Sequence, residues 1–135
     1  MFNLLGSDMK IMRIVKLWGP VIIWCCVIFS VSNTENVTTG LGAWDFPVRK
    51  LGHISEYFIL TFLLYRAFSN TFNLKRVGIF VFPAGSAFLY AMSDEFHQLF
   101  VPTRFGTWAD VLIDTLGIVG FYVLIKFKRI PTIRE

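Results

Sequence analysis

Charge is scarce in this chain. Asp, Glu, Lys and Arg make up 16% of its 135 residues, against roughly one quarter in an average soluble domain. With a hydrophobic content of 55%, that deficit excludes an ordinary water-soluble globule. Cysteine is nearly absent: Cys25 and Cys26 stand side by side in an apolar run, where helical neighbours point about 100° apart. They are badly placed to pair and form no CxxC or Cys/His metal motif. They read as small lipid- or core-facing residues with no bearing on redox compartment. Also missing are an H-E-x-x-H signature, a nucleophile motif and a basic stripe with interleaved stacking aromatics. The formal net charge of +4 therefore carries no nucleic-acid reading. Lys and Arg gather at the ends of apolar segments, as topology signals do.

Long apolar runs are what the chain has in quantity. Four of them predict an all-α fold: an integral membrane four-helix bundle, one domain over residues 1–135. The first, about 17–32, follows Lys10, Arg13 and Lys16 and puts Pro20 in its first turn, where a helix tolerates it. A cleaved signal peptide is the rival reading. The length of the run and the lack of an A-x-A site favour a membrane helix. Residues 32–44 read as a polar loop, carrying the sequon Asn36-Val37-Thr38. The second run, about 50–68, ends in a polar link holding Lys75 and Arg76. The third, about 77–100, contains Pro83 and Gly85, so a kink is expected near its middle. The fourth, about 108–127, carries Gly117 and Gly120, small enough to admit a neighbouring helix. Basic residues at the start, around Lys75 and Arg76, and at Lys126, Lys128, Arg129 and Arg134 put both N- and C-termini in the cytoplasm. Residues 32–47 and 101–107 then face outward.

Against this background the ionisable residues are concentrated. Lys50, His53, Glu56 and Tyr57 open the second run, with Arg49 just before them. Asp94, Glu95, His97 and Gln98 close the third, and Asp110 and Asp114 open the fourth. Arg104 lies in the turn between the last two. On a helical wheel Tyr90, Asp94, His97 and Gln98 share a face, with Glu95 beside it. An up-down bundle brings these three helix ends to the outer side, with Glu56, Asp94 and Asp114 about 10 Å below the surface at ~1.5 Å per residue. Ionised groups there are costly and mark a functional site by default. The alternative is a set of salt bridges that only fixes the packing. Five acids face Arg49, Lys50, Arg104 and two histidines, a balance that calls for a proton, a cation or a cationic ligand.

The pattern Lys50-x-x-His53-x-x-Glu56-Tyr57, then Asp94-Glu95-x-x-Gln98-x-Phe100-Val101-Pro102-x-Arg104, then Asp110-Val111-x-x-Asp114-x-x-Gly117, resembles the VanZ-like family. The likeness runs from the first helix onward. It departs at Thr103, where a Gly is more usual. The family is named for a membrane protein of glycopeptide-resistance clusters linked to reduced teicoplanin sensitivity. The resemblance implies a multi-pass protein of the bacterial cytoplasmic membrane with a role at the envelope, and no settled biochemical activity.

Two functional classes follow beyond the structural one. A binding module would take an envelope lipid, such as a lipid-linked cell-wall precursor, or a lipoglycopeptide at the outer leaflet, with Arg49, Lys50 and Arg104 on phosphate or carboxylate. An enzyme would use the paired carboxylates with His53 or His97, holding a divalent metal or acting as acid and base on a lipid-linked phosphate. A proton or ion path would have to continue into the cytoplasmic half, which lacks comparable ionisable residues.

Overall fold

The computed structural model of the chain describes residues 2–34, 40, 42–102 and 106–128, with side chains from residue 8 to residue 127. The described residues form four long helices: α1 (Phe2–Ser32), α2 (Asp45–Thr71), α3 (Arg76–Gln98) and α4 (Trp108–Lys128). A single 3-10 turn, Gly42–Trp44, leads into α2. Among the described residues, three helices are long and apolar enough to cross a membrane, over Asp8–Ser32, Arg76–Gln98 and Trp108–Phe127. The sequon and residues 103–105, with Arg104 among them, lie outside the described residues.

Helix α2 is the exception to the apolar rule, and its place in the bundle explains why. It packs against all three other helices, so Lys50, His53 and Glu56 are at least partly buried. Among the described residues α1 and α4 do not touch, and α3 contacts both. A sheathed helix can carry Lys50, His53 and Glu56 where a lipid-facing one could not. The core built on it contains Leu17, Val21 and Ile28 from α1, Tyr57, Leu60 and Leu64 from α2, Ala87 and Ala91 from α3, and Ile118 from α4. Outside, the bundle is inverted relative to a soluble protein. Ile22, Ile23, Val81, Leu89, Leu112, Leu116 and Val119 are exposed, an apolar surface that lipid covers and water would not tolerate.

Several boundaries differ from expectation. Helix α1 starts near the N-terminus instead of at residue 17, so Pro20 lies well inside it. Pro20 cannot donate to the Lys16 carbonyl, but the helix continues on both sides. Helix α2 begins at Asp45, placing Pro47 in its first turn, where the missing N–H costs nothing. Helix α3 contains Pro83, which is fully buried, and ends at Gln98 instead of residue 100.

The bundle divides lengthwise into two halves. Away from the start of α2 the contacts are aromatic: Trp18 meets Phe68 edge-on at 5.2 Å, Phe68 stacks on Phe82 at 6.1 Å, and Phe121 meets Phe58 and Tyr65 at 5.8 and 5.6 Å. At the start of α2 the contacts are polar.

Candidate functional site

The polar end is assembled by register. Helices α2 and α4 run parallel, with Lys50 paired to Asp110, His53 to Asp114, and Ile54 against Gly117. Gly117 makes this possible, because a Cβ there would strike the Ile54 carbonyl oxygen and come within 2.9 Å of the Phe58 nitrogen. Gly120 differs: a Cβ there would meet only Phe58 Cδ2, at 3.8 Å. Helices α1 and α3 are also parallel. The Tyr90 hydroxyl donates to the Cys25 carbonyl at 2.7 Å, and the Ser32 hydroxyl donates to Asp94 Oδ2 at 2.7 Å. The Trp24 indole donates to the Glu56 carbonyl at 3.0 Å and ties α1 to α2 beside the cluster.

Asp94 and Glu95 turn to opposite neighbours, Asp94 to the end of α1 and Glu95 to the start of α4. The Gln98 amide links them, donating to Asp94 Oδ2 and Glu95 Oε1, both at 3.2 Å. The Thr107 N–H donates to Glu95 Oε2 at 3.1 Å. All three α3 side chains are buried. His53 Nδ1 lies 3.2 Å from Asp114 Oδ1, and Asp114 has no exposed surface. His53, Glu95 and Asp114 each offer a ligand atom, all within 4.8 Å of one another. Among the described residues, three buried polar atoms at this end have no hydrogen-bond partner: Tyr57 Oη, Asp94 Oδ1 and Asp114 Oδ2. The Tyr57 hydroxyl sits in the field of Asp94, Asp114 and Glu95.

Not every candidate joins this centre. His97 points to α1, with its Nε2 3.4 Å from Asn33 Oδ1 and its ring 4.7 Å from that of Phe29. Glu95 takes the inward place that the helical wheel assigned to His97, because α4 covers the side of α3 on which Glu95 lies. Lys50 and Asp110 pair at the edge of the cluster, and the Lys50 ammonium also lies 5.3 Å from the Phe46 ring centroid. Glu56 is half-buried beside His53. Asp110 has a local task as well: Thr107 caps α4, its hydroxyl donating to Asp110 Oδ2 at 2.9 Å and accepting from the Asp110 N–H at 3.2 Å. This is a capping box in which the Thr107 N–H goes to Glu95 instead of back to Asp110. The T-x-x-D spacing was visible in the sequence. Ser32, by contrast, carries no sequence signal for its bond to Asp94.

Beside the cluster, between α3 and α4, lies a groove of about 380 Å³ lined by Met92, Phe96, Leu99, Trp108 and Val111, with Glu95, Gly106 and Thr107 at its polar edge. Phe96, Leu99 and Trp108 are exposed along it.

The family model for VanZ/LLP1 matches residues 9–129, a span that takes in all of these site residues. The chain belongs to the VanZ/LLP1 family. It is 36% identical over 85 residues to the uncharacterized membrane protein YwnJ of Bacillus subtilis (strain 168), an alignment covering 61% of this chain and 54% of that protein. The chain thus spans about half the length of the curated relative it matches. No solved structure matches it. A VanZ/LLP1 chain with three apolar spans and a membrane-protein relative is a multi-pass membrane protein.

Proposed function

We propose that this VanZ/LLP1 protein binds an amphiphile at the outer leaflet, the apolar tail in the α3–α4 groove and the head against the buried polar cluster. The observation that carries this reading is the groove itself: apolar walls from Met92, Phe96, Leu99 and Val111 run directly onto Glu95 and Thr107. Sites for amphiphiles combine an apolar trough with a few convergent polar groups. Glu95, at the groove's edge, complements amine or hydroxyl donors on the head, and Arg49, exposed on α2 beside Lys50, suits a phosphate. Both an aminolipid of the envelope and an acylated glycopeptide of the teicoplanin type have this build. The family's link to teicoplanin favours a role in glycopeptide resistance. The enzyme reading has one observation in its favour, the His53–Asp114 pair beside Glu95, an arrangement suited to acid–base chemistry.

A photoactivatable phosphatidylethanolamine with a diazirine in its tail tests the proposal on the purified chain. Labelling is expected at Phe96, Leu99 and Trp108, with competition by teicoplanin and none by vancomycin if the acylated drug is the natural occupant. Ser93→Trp, which fills the groove from its exposed rim, should remove the labelling. Labelling spread evenly over the apolar face of α1, or unchanged in Ser93→Trp, would refute the groove as the site.

A further inference from the structure

We infer that His53, Glu95 and Asp114 form a binding site for a single divalent metal ion of the manganese or zinc class, with at least one coordination position left to an exogenous ligand. The donor set is one imidazole and two carboxylates, drawn from α2, α3 and α4. Mixed N/O sets of this kind suit divalent ions that accept both donor types, and leave positions open when only three protein ligands are present. The spacing fits: metal–ligand bonds of about 2.0–2.2 Å put neighbouring ligand atoms roughly 3 to 4 Å apart. The His53 Nδ1 to Asp114 Oδ1 distance of 3.2 Å is already in that range, and all three ligand atoms lie within 4.8 Å of one another.

Three further observations separate this from a simple ion-paired packing contact. Asp114 Oδ2 is fully buried with no hydrogen-bond partner among the described residues, although it is the oxygen of a carboxylate whose other oxygen faces His53. Burying an unsatisfied carboxylate oxygen is expensive, and a cation would relieve it. The Tyr57 hydroxyl, from a side chain with no exposed surface, is also unpartnered and lies among the same carboxylates. Finally, Glu95 is oriented by two donors, one on each oxygen: the Gln98 amide and the Thr107 N–H. Such outer partners characteristically hold ligating carboxylates in position. The lysine at this end, Lys50, is engaged by Asp110, one helical turn from Asp114. The inference shares Glu95 with the proposed head site, and a groove-filling Ser93→Trp chain, which keeps all three ligands, distinguishes the failure of one reading from that of the other.

The test uses the full chain, purified in detergent, stripped with chelator and titrated with Mn²⁺. Loss of the free-ion electron paramagnetic resonance signal counts bound metal, and nitrogen coupling to the bound ion reports the imidazole. Saturable binding of one ion per chain, with nitrogen coupling and competition by Zn²⁺, is expected. Asp114→Asn and Glu95→Gln should weaken binding by more than the roughly 10–100-fold that loss of an outer-shell partner costs. His97→Gln should change neither affinity nor coupling. Failure of the unmodified chain to bind Mn²⁺ saturably, a bound ion without nitrogen coupling, or undiminished binding in the two carboxylate variants would each overturn the site. Should a carboxylate variant not fold, His53→Gln decides, since coupling that survives there also overturns it.

Discussion

Replacing Gly117 with Ala tests the register on which the polar end depends. In an isolated helix this change is favourable, by about 1 kcal/mol of helix propensity. Here the new methyl would collide with backbone on α2, at the Ile54 carbonyl oxygen and the Phe58 nitrogen. Backbone cannot rotate away as a side-chain tip can, so α2 and α4 must separate by about 1 Å to restore ordinary contact distances. Overpacking of this kind costs about 1–3 kcal/mol, and two backbone obstacles place it at the upper end. Set against the propensity gain, the net loss is about 2 kcal/mol. The separation also stretches the 3.2 Å His53–Asp114 contact beyond hydrogen-bonding range. Gly120→Ala is the internal control. Its methyl would meet only Phe58 Cδ2, at 3.8 Å, an ordinary contact, so stability should be unchanged or slightly raised. Thermal unfolding in detergent, followed by circular dichroism, should show a midpoint several degrees lower for Gly117→Ala and no loss for Gly120→Ala. Equal behaviour of the two variants would refute the close approach of α2 and α4 at Gly117.

Two further predictions concern the polar end. In a chain with Cys25 and Cys26 replaced, Ala43→Cys, exposed before α2, should react with an impermeant maleimide in intact cells, whereas Asn73→Cys should react only after permeabilisation. The reverse pattern would turn the site toward the cytoplasm. Thr107→Ala should cost about 1 kcal/mol through loss of the α4 cap and be restored by Thr107→Ser, measured as a shift in the same thermal midpoint. A Ser variant no better than Ala would show that the hydroxyl bonds to Asp110 contribute nothing.

Four helices and the meeting of three polar helix ends were legible in the sequence, because each rests on a local property, whereas the start of α1 was not. Apolar length marks a membrane helix, and alternating chain direction through short links brings the start of α2, the end of α3 and the start of α4 to one end. Asp114 stood out for the same reason, an acid among Val111, Leu112, Ile113 and Leu116. The family resemblance drew on the same residues and is matched by the family model. What the sequence left open is which side of each helix meets which neighbour. A helical wheel sets angles within α3 but not the direction from which α4 approaches, so Glu95 and not His97 faces His53 and Asp114. Gly117 and Gly120 look equivalent in the chain, yet only Gly117 lies where two backbones meet. Ser32 looks like the end of an apolar run and becomes a buried donor to Asp94 across 62 residues of sequence. Composition and chain direction determined the bundle and its polar end. The rotation and close approach of α2, α3 and α4, a property of packing between helices and not of any one of them, decided which side chains form the centre.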